Sequence, residues 1–75
     1  MKTFKIKEEY IQLDQLLKAL RIANSGGIAH LMVDDGMVKV NGFVEVRRRA
    51  KIRANDIIEV EGVKVKVISD ELLGD

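Results

Sequence analysis

The 75-residue chain has no cysteine, no proline and no tryptophan. Without cysteine there can be no disulfide, no thiolate nucleophile and no Cys-based zinc site, and a small domain lacking such staples fits a reducing, cytoplasmic setting. The lack of proline, in a chain that is 47% hydrophobic, argues against a linker or a disordered tail. No apolar run approaches the roughly 20 residues of a membrane span. The opening residues Met1 to Lys7 lack the apolar stretch of a signal peptide. One histidine, His30, leaves no second nitrogen ligand, so neither a metal nor another cofactor is expected. Ser-His-Asp and Cys-His sets are missing and the carboxylates are scattered, Asp34-Asp35 reading as the polar end of a helix, so the chain is not expected to be an enzyme. Rings are few: Phe4, Tyr10 and Phe43, of which the phenylalanines read as core. A nucleic-acid binder so poor in aromatics recognises backbone shape and phosphates more than splayed bases.

What is present reads as one α+β domain. Phe4 and Ile6 alternate with Thr3, Lys5 and Lys7, the period of a half-buried strand. Leu13, Leu16, Leu17 and Leu20 then form a helical stripe, with Asp14, Gln15, Lys18 and Arg21 off it and Asp14 and Lys18 at pairing distance; nothing breaks this helix before Asn24. Ser25 is a natural N-cap for a second helix reaching about Asp35, with Ile28, Ala29, Leu31 and Met32 on its buried side and Gly36 stopping it. Two hairpins follow. The first joins residues 37–40 and 43–46 through Asn41-Gly42, and the second joins 56–60 and 63–68 through Glu61-Gly62. Residues 69–75 read as a short tail. The order predicts a helix pair covering one face of a small, largely antiparallel sheet.

Net charge is only +1, yet Lys39 to Arg53 holds six cations against Glu45 alone, leaving −4 for the rest of the chain. Such a dipolar distribution orients a molecule toward a polyanion. In an extended segment, Arg47, Arg49, Lys51 and Arg53 share one face while Arg48, Ala50, Ile52 and Ala54 take the other. Arginine forks suit bidentate phosphate contacts. Ser25-Gly26-Gly27, where a helix would start, is a second place for an anion. It has the spacing of neither a P-loop nor a dinucleotide fingerprint. His30 should sit at the edge of the buried stripe, partly exposed.

Taken together, Leu13-Asp14-Gln15-Leu16-Leu17, Ser25-Gly26-Gly27-Ile28-Ala29, Gly36-Met37-Val38-Lys39-Val40-Asn41-Gly42 and Asn55-Asp56-Ile57-Ile58 resemble the RNA-binding domain named after ribosomal protein S4. Ser-Gly-Gly-x-Ala, Val-x-Val-Asn-Gly and the run Glu45 to Ile52 look like its stand-alone bacterial, YbcJ/YaaA-like group. The match covers residues 11–62. It implies a helix pair on a sheet, no catalysis, and binding of ribosomal, transfer or similarly folded RNA. Carried over by position, the implied RNA-facing residues are Ser25, Gly26, His30, Lys39, Asn41, Arg47, Arg48, Arg49 and Lys51. Gln12 and Gly26 stand where many relatives have arginine, which moves the burden to Arg47–Lys51 and leaves Arg53 peripheral. Asn55 replaces a usual glycine, and asparagine tolerates the positive φ of such a turn.

The expected function is therefore a monomeric, ribosome-associated or otherwise RNA-bound module without a small-molecule substrate. A protein adaptor docking an acidic partner, or a DNA-binding module, would use the same basic face. A ubiquitin-like carrier is disfavoured because such proteins end in Gly-Gly and this chain ends Leu72-Leu73-Gly74-Asp75.

Overall fold

The computed structural model describes residues 1–70, so most of the expected tail, residues 71–75, lies outside the described residues. Alternation at the N-terminus yields β1 (Lys2–Ile6), and a three-residue strand β2 (Tyr10–Gln12) runs directly into α1 (Leu13–Ala19). There follow α2 (Gly26–Asp34), β3 (Val38–Val40), β4 (Phe43–Val44), β5 (Lys51–Arg53), β6 (Ile57–Val60) and β7 (Val63–Ser69). Five strands form one sheet in the order β1-β7-β6-β3-β4, and β2 and β5 pair separately. Only the β1–β7 pair is parallel. The α+β architecture and the helix pair are as the sequence predicts.

The core is a sandwich of the two layers. Leu13, Leu16 and Leu17 of α1 and Ala29, Met32 and Val33 of α2 are buried with Val38, Ile58, Val60, Val65 and Val67 of the sheet and Ile52 of β5. Both hairpins turn with two consecutive left-handed residues, Asn41-Gly42 (φ 53° and 88°) and Glu61-Gly62 (φ 51° and 82°). That is the turn whose twist matches its strands. Asn55 likewise takes a positive φ, 79°.

Several expectations give way to packing. The first helix stops at Ala19, well short of Asn24: Arg21 adopts φ 60°, and the amides of Arg21 and Ile22 donate to Lys18 O and Leu17 O. This is a Schellman stop made without glycine. Gly36 (φ 73°) ends α2 in the same way, with Met37 N–H on Met32 O. The buried stripe of α2 is Ala29-Met32-Val33, so Ile28 and Leu31, each one residue earlier and about 100° round the helix, are 44% and 57% exposed rather than buried. Phe43 is not core: it lies on the two-residue edge strand β4 and is 78% exposed. Ser69, expected in the tail, completes β7 against Ile6. Finally, Asp14 is buried although it lies off the leucine stripe; its carboxylate meets His30, not Lys18.

Candidate nucleic-acid interface

The basic segment is shaped by the ribbon that β2 and β5 form. Tyr10 faces Arg53, Ile11 faces Ile52 and Gln12 faces Lys51. Residues opposite one another share a face. Ile52 is buried and Ile11 packs on the core, so Tyr10, Gln12, Lys51 and Arg53 point outward together. The ladder does not end with the strand. Leu13 N–H donates to Ala50 O and Asp14 N–H to Arg48 O, both at 2.9 Å. The first free amides of α1, which would otherwise need water or a cap, thus hold the backbone of the basic loop.

This anchoring bends the segment where the sequence suggested a continuous strand. Arg48 and Arg49 lie in a turn, and Ala50 N–H bonds Arg47 O at 3.2 Å. Strand pairing survives only at Lys51–Arg53, but the alternation of exposure runs from Arg49 to Arg53, with Ala50 and Ile52 buried between the exposed cations. The sidedness it implied nevertheless holds. Arg47, Arg49, Lys51 and Arg53, with Ala50, line one open hollow of about 510 Å³, and Arg48 stays outside it. Arg48 is not turned inward but reaches across to α2, gripping Asp34 through Nε at 3.1 Å and Nη2 at 2.6 Å.

The cations of the segment are not equivalent. Arg47 donates from Nε and Nη2 to Glu45 at 3.0 and 3.1 Å, and its backbone amide adds a third bond. These contacts hold the Glu45 carboxyl below the ordinary range against the opposing effect of its partial burial. Arg48, chiefly through its hydrogen bonds, likewise lowers Asp34, with His30 contributing least. Both arginines are raised in turn. Arg49 has no carboxylate partner among the described residues. Lys51 and Arg53 lie against Tyr10, with Nζ 5.0 Å and Cζ 5.9 Å from the ring centroid, within cation–π reach. Such a contact orders a cation without neutralising it, which leaves Arg49, Lys51 and Arg53 as the charges most ready for an anion.

The other residues named from the sequence lie elsewhere. Ser25 accepts the Ile28 amide at 3.2 Å, the expected N-cap, and Lys18 Nζ stands 4.0 Å from where a Cβ on Gly26 would be. His30, 34% exposed at its side chain, places Nε2 3.1 Å from Asp14 Oδ2. Asn41 is occupied within the fold: its Nδ2 donates to Asp56 Oδ1 at 3.0 Å and its Oδ1 accepts Ile57 N–H at 2.9 Å. This ties the first hairpin to the turn after β5, where Asp56 also receives the Arg53 amide at 2.8 Å. Lys39 alternates with buried Val38 and lies across from Val44 and Glu59, on the sheet face away from the helices. Neither Lys39 nor Asn41 lines the hollow. The role of Tyr10 as the ring beneath Lys51 and Arg53 does not stand out in the sequence: its alternation with Ile11 is the available signal, and three residues are too few to carry that pattern.

The chain is similar to known proteins along most of its length. Residues 4–68 match the family model described as S4 domain. The chain is 37% identical over 70 residues to the Escherichia coli (strain K12) protein named "Putative RNA-binding protein YbcJ", covering 92% of this chain and all of that one. It is 37% identical over 57 residues to the Bacillus subtilis (strain 168) protein named "Probable ribosome maturation protein RlbA", covering 76% and 80% of the two chains. The solution structure of YbcJ from E. coli, described as revealing an alfaL motif involved in RNA-binding, superposes with a TM-score of 0.70 at 38% identity over 91% of this chain and 87% of that one.

Proposed function

The chain belongs to the S4 domain family, and on that footing we propose that it is a non-catalytic module, acting as one unit and as a monomer, that binds structured RNA. The observation that carries the reading is the hollow walled by Arg47, Arg49, Lys51 and Arg53, with no carboxylate among the residues that line it. Arg49, Lys51 and Arg53, which have no carboxylate partner among the described residues, repel one another, and a polyanion relieves that repulsion. Arg49, Lys51 and Arg53 meet phosphate oxygens directly. Arg47 and Arg48 stay bridged to their carboxylates at the margin, and Ser25, Gly26 and His30 on α2 form a second, weaker contact. The name of one relative, a probable ribosome maturation protein, favours ribosomal RNA as the target; transfer RNA is the next candidate, and the setting of this reading is the cytoplasm.

The test is binding of a folded ribosomal RNA fragment across a salt series, alongside a DNA duplex of equal length and an acidic polypeptide. Affinity for RNA should fall steeply and log-linearly with salt and exceed that for the other two at every concentration. Tighter binding of the polypeptide would replace this reading with that of a protein adaptor, and equal binding of DNA would remove the RNA preference.

A further inference from the structure

A phosphate needs cations, whereas a nucleobase needs an aromatic or apolar face to lie on and hydrogen-bonding groups at its edge. The surface beside the cationic hollow offers the second set. Glu8, Tyr10, Ile11, Gln12 and Gln15 line another open hollow, of about 400 Å³. That volume lies within the roughly 300–1,000 Å³ of small-molecule sites. Tyr10 connects the two: it lines this hollow, and its ring carries Lys51 and Arg53, which line the other. Gln12 stands directly across the ladder from Lys51. Gln15, exposed and three residues further on, lies on the same side of the chain as α1 begins. Among the described residues, no protein group engages either glutamine side chain. Each amide therefore presents donors and an acceptor to whatever enters. The one charged lining residue, Glu8, is an anion that turns phosphate away and accepts from the exocyclic amine of a base.

We propose that this hollow takes one unpaired nucleobase of the bound RNA, with Tyr10 supporting its face and Gln12 and Gln15 meeting its edge, while Arg49, Lys51 and Arg53 hold the adjoining phosphates. The inference rests on the reading of the chain as an RNA-binding module. It narrows the ligand to RNA in which an unpaired nucleotide interrupts or ends a duplex, so that recognition extends beyond the backbone contacts expected from a sequence with so few rings.

Fluorescence anisotropy on matched RNA hairpins, one fully paired and four bearing a single bulged A, C, G or U, tests this. Base–aromatic stacking should make the best bulged hairpin bind about tenfold tighter than the paired one, and the bulges with an exocyclic amine should outrank U. Tyr10→Phe should keep that preference. Tyr10→Leu should bring it close to parity, and so should the surface pair Gln12→Ala with Gln15→Ala, which does not depend on how Tyr10 packs. Equal binding of paired and bulged hairpins by the unaltered protein would overturn the base site and leave the RNA-binding reading standing. A preference that survives in Tyr10→Leu, or a loss of affinity there that is equal for both kinds of RNA, would also overturn it, the latter leaving Tyr10 only as a support for the cations. Binding to none of the hairpins at low salt would overturn both readings together.

Discussion

Replacing Arg49 and Lys51 with glutamine should change the salt dependence of RNA binding more than replacing Arg47 and Arg48, although each pair removes two positive charges. Counting charges predicts equal effects. The geometry does not, because Glu45 and Asp34 already occupy the guanidinium groups of Arg47 and Arg48, and a phosphate gains little by sharing them. Each phosphate neutralised by a free cation contributes about 0.7 to 0.9 to the slope of log affinity against log salt. The Arg49→Gln/Lys51→Gln protein should therefore lose about 1.4 to 1.8 from that slope. Between roughly 50 and 200 mM salt its affinity would fall about sevenfold to twelvefold less than that of the unaltered protein. The Arg47→Gln/Arg48→Gln protein should show less than half this change. Anisotropy titrations at five or six salt concentrations, with one RNA and all three proteins, give the slopes directly. Equal flattening by the two double variants would refute the argument that the ion pairs withhold Arg47 and Arg48, and would return the interface to a simple patch of charge.

Two further outcomes follow from the fold. Leu16→Ala, at a fully buried position facing the sheet, should destabilise the domain by about 2–5 kcal/mol, whereas Leu31→Ala on the exposed side of α2 should stay within about 0.5 kcal/mol; urea melts that give similar losses would contradict the burial pattern. The lowered carboxyls of Glu45 and Asp34 set a pH window. A group with a depressed folded-state pKa contributes stability above its unfolded value, about 4.3 for Glu and 3.9 for Asp, and that contribution is lost as pH falls through the lower folded value. The Arg47 and Arg48 Nε–H signals in NMR should accordingly remain unchanged from pH 8 to 5 and alter only below about pH 4; a transition centred above pH 5 would rule out these ion pairs as the cause.

How much of this was legible in the sequence depends on whether the signal was local. Asn41-Gly42 and Glu61-Gly62 dictate their turns through two left-handed residues each, and Ser25 caps α2 as its side chain suggests. The Leu13-Leu16-Leu17 stripe was legible for the same reason. Partners distant in sequence were not. Tyr10–Gln12 becomes a strand only because Lys51–Arg53 lies beside it, and no short-range pattern announces that pairing. Phe43 was misplaced because hydrophobicity says nothing about being on a sheet edge. Ile28 and Leu31 were misplaced because the angle at which α2 docks depends on its neighbours. In the site, the even spacing of Arg47, Arg49, Lys51 and Arg53 did foretell a shared surface, but the partners of Arg47 and Arg48 depend on where Glu45 and Asp34 come to rest.

The two hydrogen bonds from the start of α1 to the carbonyls of Arg48 and Ala50 make the basic loop a fitting rather than a flap. These two bonds to α1 use main-chain atoms alone, so they are indifferent to which side chains the loop displays, and only the Arg48–Asp34 and Arg47–Glu45 pairs depend on side chains. Residues 47 to 49 can then be exchanged, one RNA preference for another, without renegotiating the hydrophobic interior. For protein engineering, this marks the loop as a place to graft new specificities onto an unchanged scaffold; in evolution, it would let related chains diverge in ligand while keeping one fold.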